Sequence, residues 1–408
     1  MPDPTDAGTE PPVATLLGSA AAGWPVPGCR CRSCLSTGRP ADHPAVRELG
    51  LRVGDLVIGR AGDGTGSVRV GAERAVPVVV GSAVEHDGVR LIGLPGAGGS
   101  TLAVVGSGAG TVLWAPVGGL LPAATLDALA EADLDAAALA LPGGAGTTGG
   151  TGTGGAPVDA AELGRTLAAL RRVGAVQPGC DLVAIGLHHG ADPGRYGPVL
   201  AGWGVRIAPD GAPLGRGHAA ADGAAPARTL VLGAAASGKS AHAESLLVAD
   251  AEVDYLPTGP APGPDDADWA ARVHRHVERR PPWWRTLEGI DLVTALDTPG
   301  PALLVDSIGS WVAAALGRSG AWDDADGWRQ RYETEADTVV DGWRQARRRV
   351  VAVAEETGWG VVPATRSGGV FRDAVGRLNA RLATETERVV LVVAGRPVDL
   401  DPSRGGAW

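Results

Sequence analysis

An apolar stretch, a glycine-rich turn and a lysine in succession constrain this chain more than any other feature. Residues 229–233 read TLVLG, residues 233–240 read GAAASGKS, and the helix-like segment KSAHAESLLVAD continues to residue 250. The middle segment matches G-x-x-x-x-G-K-[ST], in which backbone N–H groups surround phosphate oxygens. A buried strand must precede this turn and a helix must follow it, because the helix N-terminus adds positive potential. The sequence therefore predicts a strand, a phosphate-binding loop and a helix.

The distribution of lysine and arginine also points to residues 233–240. The 408 residues include 36 lysines and arginines, and Lys239 is the one lysine among them. Lysine is a compact charge that suits the β- and γ-phosphates, whereas arginine is a wide planar fork. The residues predicted to surround the nucleotide are Gly233, Ala234, Ala235, Ala236, Ser237, Gly238, Lys239 and Ser240.

Two of the candidate residues bear oxygen atoms that suit Mg²⁺. Ser240 ends the loop motif, and Asp306 ends the apolar stretch ALLVD. A hydroxyl from the loop and a carboxylate from a neighbouring strand end are the protein ligands expected at such a site. The alternative for Asp306 is a cap at the start of the next helix.

The pattern of apolar stretches predicts two domains of different kinds. From Arg228 onward, apolar runs alternate with helical periodicity, which is typical of an α/β domain with a mostly parallel sheet. Before it, short apolar runs broken by glycines predict a β-rich, sandwich-like domain. The expected boundaries are a flexible N-terminus 1–12, the β-rich domain 13–208, a linker 209–227, the α/β domain 228–400 and a tail 401–408.

Charge and hydropathy exclude several classes. The net charge of −10 disfavours a nucleic-acid-binding protein, which needs a basic surface. No run of about 18 apolar residues exists, so no membrane-spanning helix is expected. The first residues, MPDPTDAGTEPP, lack the cationic start of a signal peptide. We expect a cytoplasmic protein.

Three cysteines lie within six residues near the N-terminus. Their order, Cys29-x-Cys31-x-x-Cys34, suits a zinc ion whose fourth ligand comes from elsewhere in the chain. Three free cysteines in a turn are the alternative.

A basic helical face lies downstream of the loop. Arg272, His276 and Arg279–Arg280 fall at i, i+4 and i+7 to i+8, while His274 points elsewhere. A histidine flanked by arginines can attack an α-phosphate, since the arginines neutralise the phosphoryl group in transfer. A solvated basic face is the alternative.

Residues 229–400 resemble the bifunctional adenosylcobinamide kinase / adenosylcobinamide-phosphate guanylyltransferase family of cobalamin biosynthesis. The matching segments, in the family's order, are LVLGAAASGKSAHAE, VDYLPTG, WAARVHRHVERRP, WRTLE, LLVDSIGSWV, ETGWGVVP and FRDAVGRLNARLA. The resemblance implies a RecA-like sheet and a homo-oligomer, with a trimer as the candidate. It also implies two reactions: phosphorylation of adenosylcobinamide by ATP or GTP, and transfer of GMP from GTP to adenosylcobinamide phosphate.

The resemblance also assigns residues by motif. It implies that His276 carries the guanylyl group and that Lys239 is catalytic, with His274 as the rival nucleophile. Further GTP contacts are implied at Thr258, Gly259, Pro260, Val277, Glu278, Arg279, Arg280, Glu288 and Asp306.

Two departures from the family pattern bear on activity. Ala236 stands where the family's loop carries an arginine, and Glu355-Glu356 stands where it carries Asn-Glu. Both changes make the surroundings of a polyanion more negative. A non-catalytic nucleotide-binding protein is therefore an alternative function.

The N-terminal segment LLGSAAAGWPVPGCRCRSC resembles phosphodiesterase-type metallo-β-lactamase-fold proteins. That resemblance implies a structural zinc on Cys29, Cys31 and Cys34, completed by His189, with His188 as the runner-up. The fold's catalytic motif, H-x-H-x-D-H, is absent, and Gly186 stands where a catalytic histidine is expected. We expect a degenerate domain without hydrolase activity; a metal-dependent phosphoesterase is the alternative.

Overall fold

The computed structural model describes residues 13–19, 49–60, 66–70, 74–142, 160–186, 193–219, 227–260, 271, 274 and 277–400. The chain divides into two compact units, Met1–Gly223 and Ala224–Trp408. No helix in these described ranges combines the length and the apolar character that crossing a bilayer requires.

The described part of the first unit forms thirteen strands and three α-helices. In chain order the strands are β1 (Ala14–Gly18), β2 (Gly50–Val53), β3 (Leu56–Arg60), β4 (Gly66–Val70), β5 (Arg74–Pro77), β6 (Ala83–His86), β7 (Val89–Pro95), β8 (Thr101–Ser107), β9 (Gly110–Ala115), β10 (Ala136–Ala140), β11 (Asp181–Ile185), β12 (Val205–Ile207) and β13 (Pro213–Leu214). The helices are α1 (Ala123–Leu129), α2 (Ala160–Arg172) and α3 (Pro193–Gly202).

Two sheets pack face to face in this unit. The first is antiparallel, with strand order β13-β1-β2-β3-β4-β5, and the second has the order β12-β11-β10-β9-β8-β7-β6. One hydrophobic core contains residues from both, among them Leu16 and Leu51 of the first sheet and Val105 and Val112 of the second. The β-rich, sandwich-like prediction thus matches the packing of the two sheets.

The second half of this unit is α/β rather than β-rich. Strands β9 to β12 are parallel neighbours, with α2 and α3 in the connections between β10, β11 and β12. Strand β10 reads AAALA and is buried throughout, so burial rather than β-propensity determines it. The low β-propensity of alanine hides this strand from a sequence-based prediction.

The predicted linker 209–227 is wrong in its first half. Leu214 pairs with Ala14 across β13 and β1 and is fully buried. The Arg216 guanidinium donates to the carboxylate of Asp135 at 2.6 Å. Glycine and proline suggested a loose segment, but its few apolar and charged side chains attach residues 209–219 to the first unit.

The described part of the second unit forms seven strands and five α-helices. The strands are β14 (Arg228–Gly233), β15 (Val253–Pro257), β16 (Arg285–Thr286), β17 (Ala302–Asp306), β18 (Val350–Glu355), β19 (Arg388–Val393) and β20 (Arg396–Asp399). The helices are α4 (Lys239–Leu247), α5 (Leu292–Asp297), α6 (Ile308–Ser319), α7 (Trp328–Arg344) and α8 (Arg366–Thr384).

These strands form one sheet in the order β16-β15-β17-β18-β14-β19-β20, parallel except for the last pair. Helix α4 packs on one face, and α5 to α8 contribute to the core on the other. The predicted α/β fold with a mostly parallel sheet is confirmed. The short edge strands β16 and β20 were not predicted, since these exposed segments of two and four residues show no strand periodicity.

A buried charge cluster ties three distant segments of this unit together. The Asp254 side chain is 1% exposed and accepts from Arg285 Nε at 2.7 Å and from an Arg348 terminal nitrogen at 2.7 Å. Arg348, itself 2% exposed, also donates to the carbonyl of Thr298 at 3.0 Å. The cluster therefore links β15, β16 and the segment that enters β18.

Removing the carboxylate of this cluster is expected to be costly. In Asp254→Ala the buried Arg348 guanidinium keeps its charge and loses its counter-ion, so the free energy of unfolding should fall by about 3–5 kcal/mol. Asp341→Ala is the control, because its pair with Arg344 is exposed and worth about 0–1 kcal/mol. Urea denaturation followed by tryptophan fluorescence measures both; equal losses would contradict the role of burial.

Candidate nucleotide-binding site

The phosphate-binding loop connects β14 to α4 at the carboxyl edge of the sheet. Gly233 ends the strand, and a Cβ there would lie 2.4 Å from Ser237 Oγ and 2.9 Å from the Val392 carbonyl. Gly238 has φ +94° and immediately precedes the helix. Both glycines of the motif are therefore required by the backbone: one by space, the other by its left-handed conformation.

The hairpin between β19 and β20 supports the loop from behind. Its turn, Ala394–Gly395, has φ +49° and +73°, and the Gly395 N–H donates to the Ser237 carbonyl at 2.8 Å. A Cβ on Gly238 would lie 3.3 Å from Gly395 Cα. The last strand pair of the sheet thus fixes the shape of the loop.

Polar groups inside the loop are available to a ligand. Lys239 is 5% exposed, and its Nζ donates to the Ala234 carbonyl at 3.3 Å. The hydroxyl of Ser237 is buried and has no hydrogen-bond partner within the described residues. A bound phosphate would satisfy both groups, since it accepts several hydrogen bonds at once.

The conformation of the loop centre is a strained one. Ala236 has φ +56°, and Ala234, Ala235 and Ala236 are all exposed. An L-residue in this region costs about 1–2 kcal/mol. A left-handed residue next to right-handed ones points successive N–H groups into one concavity, a geometry that suits an anion.

Asp306 lies at the end of β17, two strands from the loop strand in the same sheet. The Tyr255 hydroxyl donates to its Oδ2 at 3.1 Å. The Arg280 guanidinium stacks over the Tyr255 ring at 3.7 Å from the centroid. Burial, and after it the Asp306 charge, raises the pKa of Tyr255, so the phenol stays a donor. Asp306 is thereby oriented at the edge where the loop lies.

A second set of hydrogen bonds continues across this edge. The Thr258 hydroxyl donates to the Ser307 carbonyl, and the Ser307 hydroxyl donates to Glu355 Oε1 at 3.0 Å. Asn379 Nδ2 donates to the Glu355 carbonyl at 3.0 Å. A Cβ on Gly309 would lie 1.8 Å from Glu355 Oε2, so glycine makes room for this carboxylate.

An ion pair joins the end of the predicted histidine helix to the loop helix. Arg279 donates to Glu244 of α4 at 2.8 Å, and this hydrogen bond raises the pKa of Arg279. Together with the stacking of Arg280 on Tyr255, it holds residues 277–280 against the elements that carry Lys239 and Asp306.

The remaining predicted residues lie at different places. Thr258 and Gly259 are half-buried at the end of β15, whereas Pro260, Val277, Glu278 and Glu288 are exposed. His274, the rival nucleophile, is 73% exposed and lies 3.4 Å from the Glu278 carboxylate. Several predicted residues lie outside the described residues: Arg272, His276, Cys29, Cys31, Cys34, His188 and His189.

Four residues of this edge escaped the sequence-based prediction. Tyr255 and Glu244 lie within the recognised segments VDYLPTG and SGKSAHAE, while Ser307 and Asn379 lie in LLVDSIGSWV and GRLNARLA. These residues lie in segments that carry the resemblance to the family. Which of their side chains pair, however, depends on which strands are neighbours in the sheet.

A phosphate-binding loop at the edge of a parallel sheet, with a basic segment and a strand-end aspartate beside it, defines a P-loop nucleotide-binding protein. Residues 229–400 match the family model for cobinamide kinase / cobinamide phosphate guanyltransferase. The chain belongs to this family, and its function is that of a cobinamide kinase and cobinamide phosphate guanyltransferase.

Named relatives support the match. The bifunctional adenosylcobalamin biosynthesis protein CobU of Salmonella typhimurium is 36% identical over 175 residues, covering 41% of this chain and 95% of that protein. CobU of Escherichia coli is 34% identical over 175 residues, and CobP of Pseudomonas aeruginosa is 35% identical over 178, with 95% and 96% of those proteins covered. Each of these alignments covers 41% or 42% of this chain.

One solved structure, the P4 protein from bacteriophage phi6 in complex with ADP, aligns at 15% identity. The alignment covers 42% of this chain and 52% of that chain, with a TM-score of 0.22. A likeness of this size carries no argument about fold or function.

Lys239→Arg tests whether shape as well as charge matters in the loop. Lys239 is enclosed, and a planar guanidinium needs more width than an ammonium group. We expect GTP turnover to fall at least about a hundredfold, the scale of losing a preorganised charge contact. Lys239→Met, which keeps the length and removes the charge, is the companion variant. Near-normal turnover in Lys239→Arg with unchanged thermal stability would contradict this expectation.

His242, on α4, makes the unit sensitive to acid. Its Nε2 is buried without a hydrogen-bond partner among the described residues, and burial, with a smaller contribution from Arg388, lowers its pKa to about 4. An unfolded histidine titrates near 6.5, so the unfolded state gains protons first as the pH falls. Stability should therefore decrease between about pH 6.5 and 4, by up to about 3 kcal/mol from this group.

His242→Gln isolates that contribution. The difference in unfolding free energy between the wild type and the variant should shrink by about 2–3 kcal/mol from pH 7 to pH 4.5. Urea denaturation at both values measures it. A difference that stays constant with pH would show that His242 does not titrate this way.

Proposed function

We propose that the second unit phosphorylates adenosylcobinamide and then converts the product to adenosylcobinamide-GDP through a guanylylated His276. The observation that carries this proposal is the attachment of residues 277–280 to the loop helix and to Tyr255 through Arg279–Glu244 and Arg280. Because His276 directly precedes this segment, the attachment supports a position for the histidine beside the phosphates.

In the kinase reaction, the loop holds the triphosphate of ATP or GTP. Lys239 and the loop N–H groups neutralise the β- and γ-phosphates, and the N-terminus of α4 adds positive potential. The substrate hydroxyl forms a bond to the γ-phosphorus as the bond to the β,γ-bridging oxygen breaks. The hydroxyl proton passes to solvent, and a nucleoside diphosphate is released.

In the transfer reaction, a ring nitrogen of His276 attacks the α-phosphorus of GTP. The N–P bond forms, the bond to pyrophosphate breaks, and the basic groups of Arg279 and Arg280 offset the charge that develops. A phosphate oxygen of adenosylcobinamide phosphate then attacks the same phosphorus. The N–P bond breaks, and the histidine is regenerated.

The remaining contacts with GTP are assigned by position. We place the nucleotide against the loop and the following residues: Thr258, Gly259, Pro260, Val277, Glu278, Arg279, Arg280, Glu288 and Asp306. The oxygen donors of Ser240 and Asp306 suit Mg²⁺, which keeps several waters and takes few protein ligands. Bound there, the ion would neutralise phosphate charge.

We propose that the glutamate pair does not prevent activity. Glu355 accepts from the Ser307 hydroxyl, and Glu356 Oε1 accepts from the Gly358 N–H at 2.9 Å. Hydrogen bonds to a carboxylate offset its charge and fix its direction. Both carboxylates are thus held by donors of their own.

For the arrangement of the chain we propose a RecA-like second unit that forms a homo-oligomer, with a trimer as the candidate. One strand, β18, separates the loop strand β14 from the Asp306 strand β17, which supports the RecA-like sheet. The homo-oligomer rests on the resemblance to the family. We propose a degenerate metallo-β-lactamase-like first unit, supported by its two facing sheets. The zinc proposed on Cys29, Cys31 and Cys34 rests on the spacing of these cysteines, and its fourth ligand, His189, rests on the resemblance to metallo-β-lactamase-fold proteins.

Trapping the covalent intermediate tests the transferase proposal. After incubation with GTP labelled at the α-phosphate, the protein should carry an acid-labile, base-stable label. His276→Ala should lose the label and His274→Ala should keep it, because the motif spacing assigns the nucleophile to His276 and the side chain of His274 is 73% exposed. Absence of label in the wild type, with tight GTP binding, would favour a non-catalytic nucleotide-binding protein instead.

A further inference from the structure

An exposed apolar loop follows β18 at the edge where the nucleotide site lies. Trp359, Val361 and Val362 are 75%, 95% and 68% exposed, within the segment GWGVVP. Exposing a large aromatic side chain and two branched aliphatic ones together is unfavourable in water unless something covers them. The function derived so far assigns no role to them.

The position of this loop is fixed relative to the phosphate-binding loop. The Glu356 N–H donates to the Gly233 carbonyl at 3.1 Å, so the chain leaves β18 directly beside the start of the phosphate-binding loop. The Gly358 N–H bond to Glu356 and the cap of α8 by Thr365 hold the two ends of the segment. The apolar side chains are therefore presented at the edge where a phosphoryl acceptor must approach.

The charges around the loop select the kind of ligand. Residues 350–365 contain two glutamates and neither lysine nor arginine. A cavity of about 510 Å³ shares Glu356 with the loop, and its lining includes Glu387 and Asn379 and no cationic residue. Asn379 is 4% exposed, and its Oδ1 has no hydrogen-bond partner within the described residues. Glu387 is paired with Arg228, whereas Asn379 Oδ1 and the Glu356 carboxylate suit a ligand that donates hydrogen bonds.

We infer that Trp359, Val361 and Val362 bind the corrin ring of the cobinamide substrate, with the adjoining cavity accepting its amide side chains. A corrinoid presents a broad, largely apolar ring whose rim carries primary amides. The ring would cover the apolar loop, and the amide N–H groups would meet Asn379 Oδ1 and Glu356. This inference rests on the proposed function and names the surface that binds its acceptor.

Trp359→Ala tests the inference. Equilibrium dialysis of the full-length protein against cobinamide should show binding weakened about tenfold or more, since buried aromatic anchors contribute most at such surfaces. The KM for cobinamide in the kinase reaction should rise by a similar factor. The KM for GTP and the labelling by GTP in the absence of cobinamide should not change. Trp359→Phe should restore most of the binding.

Trp322→Ala is the matched control. Trp322 is 40% exposed and follows the C-terminal end of α6, away from the edge where that helix begins at Ile308. Its removal should leave cobinamide binding unchanged. The double variant Val361→Ser/Val362→Ser should weaken binding independently of any effect that is specific to tryptophan.

Three results would overturn the inference. The first is unchanged cobinamide binding in Trp359→Ala, with both activities present in the wild type; the proposed function would then stand. The second is a rise in the KM for GTP that matches the rise for cobinamide, which would place the nucleotide on this loop. The third is a difference in molecular mass between Trp359→Ala and the wild type, measured by light scattering. Such a difference would show that the loop makes a contact between copies of the chain. A wild type that neither binds nor phosphorylates cobinamide would refute the proposed function as well.

Discussion

The second unit must hold a polyanion in a protein of net charge −10, and one lysine in its phosphate-binding loop is the side-chain cation available there. Within the loop itself, backbone N–H groups and the N-terminus of α4 supply the remaining positive potential. This explains why the loop depends on two glycines, an alanine at positive φ and a hairpin that supports it from behind. Much of the positive potential in this loop comes from the direction of backbone N–H groups. Small distortions of the backbone therefore change phosphate binding more than they would in a lysine-rich site.

The same constraint explains how the nearby arginines are arranged. Arg279 is tied to Glu244 and Arg280 lies on the Tyr255 ring, so both guanidinium groups are oriented before any ligand arrives. A preorganised cation loses less conformational entropy on binding than a free one. The carboxylates nearest the loop are likewise held: Asp306 by Tyr255 and Glu355 by Ser307. Attraction and repulsion around the phosphates are therefore balanced by fixed groups.

Local patterns made part of this predictable. The loop, the strand before it and the helix after it follow from residues 229–250, because the motif requires a strand before it and a helix after it. The cluster of Asp254 with Arg348 joins residues far apart in sequence, and no local signal announces it. Strand β10 escaped prediction because alanine has little β-propensity, and residues 209–219 because their glycines and prolines concealed Leu214. Pairings between segments, such as Glu244 with Arg279, required the strand order.

The position of β14 in the sheet has a consequence for the order of events during synthesis. This strand begins the unit, yet its partners are β18 and β19, which lie more than a hundred residues further along the chain. The segment TLVLG therefore leaves the ribosome well before anything can pair with it, and such non-local pairing is slow to form. The turn at Gly395 that completes the phosphate-binding loop is made later still. The nucleotide site is thus among the last parts of the unit to be completed, and a nascent chain carries an unpaired apolar strand for most of its synthesis.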